Sequence, residues 1–382
     1  MHFHLPGFLA QYCFNRELNE AYIMLAIKFF AISLIGIFLP VYIYLLNNSI
    51  IDVILFFIVF SIAMAFFMPL GALFASRFGY KHSMLLSMPL QVVFYLMLSF
   101  VQLDFTLLLV AAALNGLASS FFWIAFHADF ALNFSRKKAG AEAGFFDIAM
   151  MLPTIIGPIA GAAIITFLGG FELLFLVAAL ILLFSVIPLF FSPDKHEPVR
   201  ISFRDLKKKN SFKLFLLNFG AGITQWVEAF FWPLFIFIIV GSFLNLGFIT
   251  TVGSFLTILT VLYFGKLADS KQKGLLLNAS IFVFIITKFV RGFVTTIIPL
   301  FALEVTGKVS LEGMKIPYHA RVYGKADKKN VYEYFIIREF NLMAGRIIIL
   351  LIALALSFNL YYMFVGTFIV SGLASFTMFL AK

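Results

Sequence analysis

Residues 20–46 are apolar almost without a break, Asn47, Asn48 and Ser49 interrupt them, and a second apolar run follows at once. This alternation continues to the end of the chain. It predicts helices at 20–46, 51–74, 82–103, 105–127, 143–168, 171–192, 213–241, 246–266, 274–291, 294–317, 333–357 and 359–381. A helix rises 1.5 Å per residue, so an unbroken apolar run of about 18 or more residues crosses a hydrocarbon core of ~30 Å. Membrane β-barrel strands would instead show short alternating segments of about ten residues. The expected fold class is an all-α polytopic membrane protein with twelve transmembrane helices.

Composition agrees: 63% of residues are hydrophobic, 12% are charged and the mean hydropathy is +1.04, whereas soluble domains carry about 25% charged residues. The 28 Lys and Arg are distributed unevenly. Alternate connections and the two ends hold 21 of them, including Arg136–Lys138 and Lys207–Lys209, and the opposite connections hold one, Arg291. The positive-inside bias then places both termini in the cytoplasm of a cell carrying this chain in its plasma or inner membrane. The same loops account for the net charge of +10 without a nucleic-acid partner. The N-terminal residues lack a basic region and a small-residue cleavage site, so the first span is expected to stay as an anchor. Cys13 is the only cysteine, which excludes an intramolecular disulfide and a CxxC pair. His2 and His4 are read as incidental, and no metal or cofactor is expected. The 53 Phe are spread through all the spans and point to no particular chemistry.

The two halves resemble each other. "FLPVYIYLL" (38–46) matches "FWPLFIFII" (231–239), placing Pro40 on Pro233 at an offset of 193. "FHADF" matches "YHARV", placing His127 on His319 at 192, and the same offset carries Asp147 onto Glu339. Six spans separate each pair, as in parallel six-helix repeats. The expected organisation is a bundle over 1–191, a charged, proline-containing cytoplasmic linker over 192–212 and a second bundle over 213–382.

These features together resemble the major facilitator superfamily of secondary transporters. Its loop 2–3 signature, G-x-L-A-D-R/K-x-G-R/K, is best kept in the second half, where "GKLADSKQK" supplies Gly265, Leu267, Ala268 and Asp269. The first copy, "GALFASRFGYKH", keeps Gly71, Arg77, Gly79 and Lys81 but has Ser76 in place of the aspartate. "PTIIGPIAGAA" resembles an element of the antiporter branch, with Gly157, Pro158 and Gly161 as a helix-packing motif; packing of small residues alone also explains it. The arginine that the branch often carries in its fourth span has no counterpart. The resemblance implies two pseudo-symmetric six-helix bundles, a pathway lined by the first, fourth, seventh and tenth helices, and a cytoplasmic gate. To that gate we assign Gly71, Arg77, Gly79, Lys81, Asp129, Asp147, Gly265, Asp269, Arg338 and Glu339.

Charges inside the spans are the candidate chemistry. "LEVTGKVSLEG" places Glu304, Lys308 and Glu312 on one helical stripe. In hydrocarbon each charge would cost at least ~2.5–3.5 kcal/mol, so the stripe faces protein or a hydrated cavity; it serves either a substrate site or a structural ladder. In the seventh span Glu228, Gln225, Trp226 and Trp232 combine a carboxylate with indole faces. Asn115, Ser119, Ser120 and Trp123 in the fourth span suit a cavity wall or helix packing. Glu339 and Arg346 share a face of the eleventh span, and Arg346 suits a substrate anion or a carboxylate such as Glu312 or Asp147. Lys28 and Lys288 are expected to snorkel toward the interface.

The expected activity is secondary transport of a small organic solute (an amphiphile, drug-like molecule or metabolite), with protons as the candidate coupling ion and the monomer as the working unit. A membrane enzyme acting on a lipid is the first alternative, for which His127, Asp129 and His319 are the only candidate groups. A non-transporting receptor or scaffold is the second. Mixed charge signs leave the substrate and the direction of transport open.

Overall fold

The computed structural model describes residues 16–101, 104–134, 139–191, 194, 211–268, 273–326 and 330–381, and among them there is no strand. Ten helices in it are long and apolar enough to cross a membrane. In chain order the helical segments are α1 (Arg16–Ile35 and Leu39–Asn47), α2 (Ile50–Phe78), α3 (Tyr80–Leu98) and α4 (Phe105–Asn133). Next come α5 (Ala139–Met151, continuing irregularly to Leu168), α6 (Gly170–Phe184, extended to Phe191), α7 (Phe212–Val240) and α8 (Phe243–Ala268). Last are α9 (Lys273–Arg291), α10 (Ile297–Lys325), α11 (Val331–Leu356) and α12 (Leu360–Ala381). The two segments outside the set of ten are α3 and α10, which occupy the places expected for the third and tenth spans. Lys81, His82 and Gln91 make α3 less apolar, and Glu304, Lys308, Glu312 and Lys315 do so in α10.

The polar residues that break the apolar pattern do structural work at helix starts. Ser49 accepts from the Asp52 amide, Asp104 from Thr106, Ser211 from Leu214 and Asn359 from Tyr361. Each satisfies an N–H that the helix itself leaves unpaired. Between α2 and α3 the turn depends on Gly79, whose φ of +107° disfavours a side chain.

Before residue 192, α4 packs on α2 and α3; after residue 211, α11 packs on α7 and α10 on α9. Across the two halves α2 meets α11, and α5 meets both α8 and α10. Close approach depends on missing side chains. A Cβ on Gly157 would lie 1.8 Å from Ser33 Oγ, and one on Gly161 would lie 2.1 Å from the Leu34 carbonyl. The small-residue element of α5 therefore seats this helix against α1, while Ile159 N–H donates to Thr251 Oγ1 of α8 at 3.2 Å.

α1 and α7 share an irregularity. α1 is interrupted between Ile35 and Leu39, just before Pro40. α7 widens into a π turn over Val227–Phe231, just before Pro233. Proline lacks the N–H that would continue the preceding ladder and crowds the carbonyl four residues back, so the turn before it opens. The repeat-related prolines thus sit beside irregular backbone at corresponding places.

Replacing Gly157 by Ala should destabilise the protein by about 1–3 kcal/mol, the usual range for overpacking. Gly324→Ala, where no atom lies within 4 Å of the added Cβ, should leave stability unchanged or raise it. Melting curves of the two purified variants check this.

Candidate functional site

A cavity of about 370 Å³ lies between the halves, lined by α1, α5, α7, α8 and α10 together with Phe57 of α2. Its polar wall comprises Ser33, Thr154, Glu228, Thr250, Ser254, Glu304, Lys308, Glu312 and Lys315, and Trp232 stands among them. The π turn of α7 adds a residue to one helical turn, a feature frequent at functional sites, and Glu228 sits within it.

Each carboxylate here has a basic partner. Lys308 Nζ lies 2.6 Å from Glu304 Oε1 and donates to the Thr250 carbonyl and Ser254 Oγ, both at 3.0 Å. The other oxygen of Glu304 accepts from the Trp232 indole at 2.6 Å. Lys315 pairs with Glu312 at 2.7 Å. Glu228 Oε1 accepts from Lys288 and from Arg291, the latter at 2.5 Å, and the Arg291 guanidinium lies 3.9 Å above the Trp232 ring. Arg291 Nε and Nη2 have no acceptor.

This arrangement corrects three sequence expectations. The stripe Glu304–Lys308–Glu312 is not one ladder: helical side chains lean toward the N-terminus, so Lys308 reaches back to Glu304 while Lys315 reaches back to Glu312. Lys288 and Arg291 neither snorkel nor lie in an open loop; both are fully buried, because α9 packs on α10 and α12 and turns them toward Glu228. Lys28 is likewise buried, donating to Gln91 Oε1 of α3 at 2.6 Å.

The expected cavity residues also divide into three groups. Glu228, Trp232, Glu304, Lys308 and Glu312 line the large cavity, whereas Asn115, Ser119 and Trp123 line a separate pocket of about 150 Å³ beside Lys28. Gln225, Trp226 and Arg346 form a third cluster. Arg346 Nη2 donates to Gln225 Oε1 at 2.7 Å, and its guanidinium lies 4.2 Å above the Trp226 ring. Among the described residues no carboxylate is its direct partner, so pairing with Glu312 or Asp147 is replaced by amide and ring contacts.

The end of the bundle where α4, α5, α10 and α11 meet carries a polar network between the halves. His319 of α10 pairs with Asp147 of α5 at 2.9 Å. His127 of α4 lies 3.6 Å from Glu339 of α11 and 3.1 Å from Arg338 Nη1, while its Nδ1 is 2.7 Å from Tyr323 Oη. Arginine can only donate, so Nε2 of His127 accepts and its Nδ1–H donates to Tyr323. Arg338 also binds Glu339 and the Tyr318 hydroxyl, and Tyr318 in turn donates to Asn218 of α7. Asp147 is thus bonded across the halves to His319 and Arg338 to His127, while Glu339 is held by Arg338 of its own helix.

Other residues expected at a gate are placed differently. Lys81 is buried against Glu20 and the Leu189 carbonyl, partners within its own half. Gly71 lets α2 approach the backbone of α4 at Ser120. Arg77 is exposed above Phe78, and Asp129 accepts from Asn133 one turn along α4. Gly265 falls in the last turn of α8, and Asp269 lies outside the described residues. The aspartate missing at Ser76 has a local stand-in that the sequence did not reveal. Asp194 accepts from the Lys81 and His82 amides at 3.2 Å each and from the His82 ring at 2.6 Å, closing the N-terminus of α3.

Membrane-crossing helices from both halves, enclosing a charged cavity and joined by polar contacts at one end, are the form of a polytopic membrane transporter. The chain belongs to the Major Facilitator Superfamily, whose sequence pattern matches residues 21–311. Its fold is similar to the crystal structure of the human organic anion transporter MFSD10 (TETRAN), with a TM-score of 0.71 over 96% of this chain and 99% of that one. At 14% identity the likeness is one of fold. Compared by sequence with curated proteins, the chain finds no match. The protein is therefore a transporter and not the lipid-modifying enzyme considered as an alternative.

Glu228→Gln would leave Lys288 and Arg291 buried without their counter-charge. Stability should fall by about 3–5 kcal/mol, as when one partner of a buried ion pair is removed. The double variant Glu228→Gln/Lys288→Met should recover part of that loss in the same denaturation measurement.

Proposed function

We propose that the protein is a secondary active transporter that carries a small organic solute with a negative group through the cavity between its halves by alternating access. One observation carries the solute class. The large cavity and its supporting shell bring four basic groups, Lys288, Arg291, Lys308 and Lys315, to three carboxylates, Glu228, Glu304 and Glu312. Lys288 and Arg291 lie behind the wall on Glu228, whereas Lys308 and Lys315 line the cavity and are more exposed to it than the acids they pair with, and the rest of the wall is largely apolar. These two lysines are the groups within reach of an anion, or of the acidic part of a zwitterion, that enters the cavity. The fold-level likeness to a protein named as an organic anion transporter is in keeping with this reading.

Alternating access asks that contacts between the halves form and break at one end at a time. The contacts of His127 with Arg338 and Tyr323, and of His319 with Asp147, suit that role because they are short-range, polar and shared between the halves. At the opposite side of the molecule the halves meet through aromatic rings, Phe38 with Phe243 at 6.2 Å and Phe171 with Phe243 at 5.5 Å.

Uptake of organic anions into proteoliposomes tests the solute class. Lys308→Met should reduce it at least about ten-fold, the equivalent of about 1.4 kcal/mol of lost binding, and repeating the assay with an imposed pH gradient reads proton coupling. Normal uptake with only a lowered melting temperature would make the α10 pairs structural. For the gate, Asp147→Asn combined with Glu339→Gln should speed maleimide labelling of a cysteine placed at Leu311, in a Cys13→Ser background, when reagent is added on the side of the basic loops. The expected change is about 5–30-fold, which is what about 1–2 kcal/mol does to a two-state population.

A further inference from the structure

Away from the cavity between the halves, one buried cation has no carboxylate. Lys28 is 2% exposed. Its ammonium donates to Gln91 Oε1 and lies 4.0 Å from the centre of the Phe122 ring, and among the described residues no acidic side chain is its partner. An ammonium has three protons to place, and an amide oxygen and a ring face offer only partial negative charge. Buried charges are retained where a counter-charge completes them.

The space for one is present. The 150 Å³ pocket beside Lys28 is lined also by Gln91, Asn115, Ser119 and Trp123, a size that admits a carboxylate group or a small inorganic anion. Asn115 Oδ1 is buried there with no donor. A side-chain amide can turn over and present its NH₂ instead. Ile32, Gly36 and Leu39 line both this pocket and the large cavity, so the interrupted stretch of α1 is the partition between the two, thinnest at Gly36.

We propose that this pocket is an anion subsite in which Lys28 takes a single negative charge, with the Gln91 and Asn115 amides and the Ser119 hydroxyl completing its hydrogen bonds. The charge is either a carboxylate at one end of a solute whose body fills the large cavity, or a free small anion. The first source rests on the transport reading above; the site itself rests on Lys28 and its pocket.

The test is thermal unfolding of the purified full-length protein at constant ionic strength, with the bulky sulfonate HEPES as reference anion, replaced in turn by chloride, acetate or benzoate. A ligand that binds the native state raises its melting temperature by mass action. At least one of the three anions should do so, and the rise should vanish in Lys28→Met but persist in Lys213→Met, which removes an exposed lysine outside both pockets. Equal effects of chloride and acetate identify a free ion as the occupant. An effect of benzoate alone, lost in Gly36→Val as well, identifies a solute carboxylate reaching across the partition. Absence of any anion effect in the wild type, or an unchanged effect in Lys28→Met, overturns the proposal. If Lys28→Met does not fold, Asn115→Leu, which fills the pocket and keeps the lysine, decides in its place: loss of the rise supports the site and an unchanged rise overturns it. Lys28-dependent stabilisation without uptake of any organic anion would refute the transport reading and leave the subsite standing. Uptake without such stabilisation would do the reverse.

Discussion

Charge inside a bilayer must be compensated by other protein groups, because even the mildest scale puts an isolated charge at the centre of a helix at ~2.5–3.5 kcal/mol. That constraint organises this transporter. The charged helix α10 avoids lipid by pairing Glu304 with Lys308 and Glu312 with Lys315, and by facing α8 and the cavity. α9 delivers two cations to one carboxylate of α7, which ties the end of one helix to the widened turn of another. The same compensation that keeps these groups buried also concentrates them around one space, so the requirement of stability and the makings of a binding site coincide.

Fold class and span order were legible because apolar run length is set by membrane thickness, a constraint no other architecture imposes on so many segments. Where polar residues dilute the run, as at Lys81 and Gln91 in α3 or along α10, the helix is still present because its neighbours supply the partners. The internal repeat was legible through Pro40 and Pro233, since a proline inside a helix acts on its own backbone whatever lies around it. Pairings between helices were not legible. Lys288 and Arg291 lie one turn apart near the end of a span, where snorkelling is the local optimum, and only the packing of α9 turns them inward. Lys315 carried a usable signal, its place three residues after Glu312, but a four-residue stripe drew attention to Lys308. Asp194 gave none, because its role depends on where the end of α6 falls against the start of α3.

Symmetry explains how the polar network joining the halves is built. When two related units face each other across a two-fold axis, a contact from residue i of the first to residue j of the second implies the contact from j of the first to i of the second. The sequence offset of 192 relates His127 to His319 and Asp147 to Glu339. Both histidines approach the acid of the other half: His319 bonds Asp147, while His127 bonds Arg338, which holds Glu339. The offset alone suggested only that the histidines sit at equivalent helix ends. Read through the axis, each histidine faces the acid of the other half, directly on one side and through Arg338 on the other. The halves have diverged around this shared contact: Arg338 and Tyr323 reinforce the His127 side, while Asp147 Oδ2 on the other side has no partner. The pair on α5 and α10 is therefore the less supported of the two, and its histidine follows Glu312, which lines the cavity, by about two turns of α10.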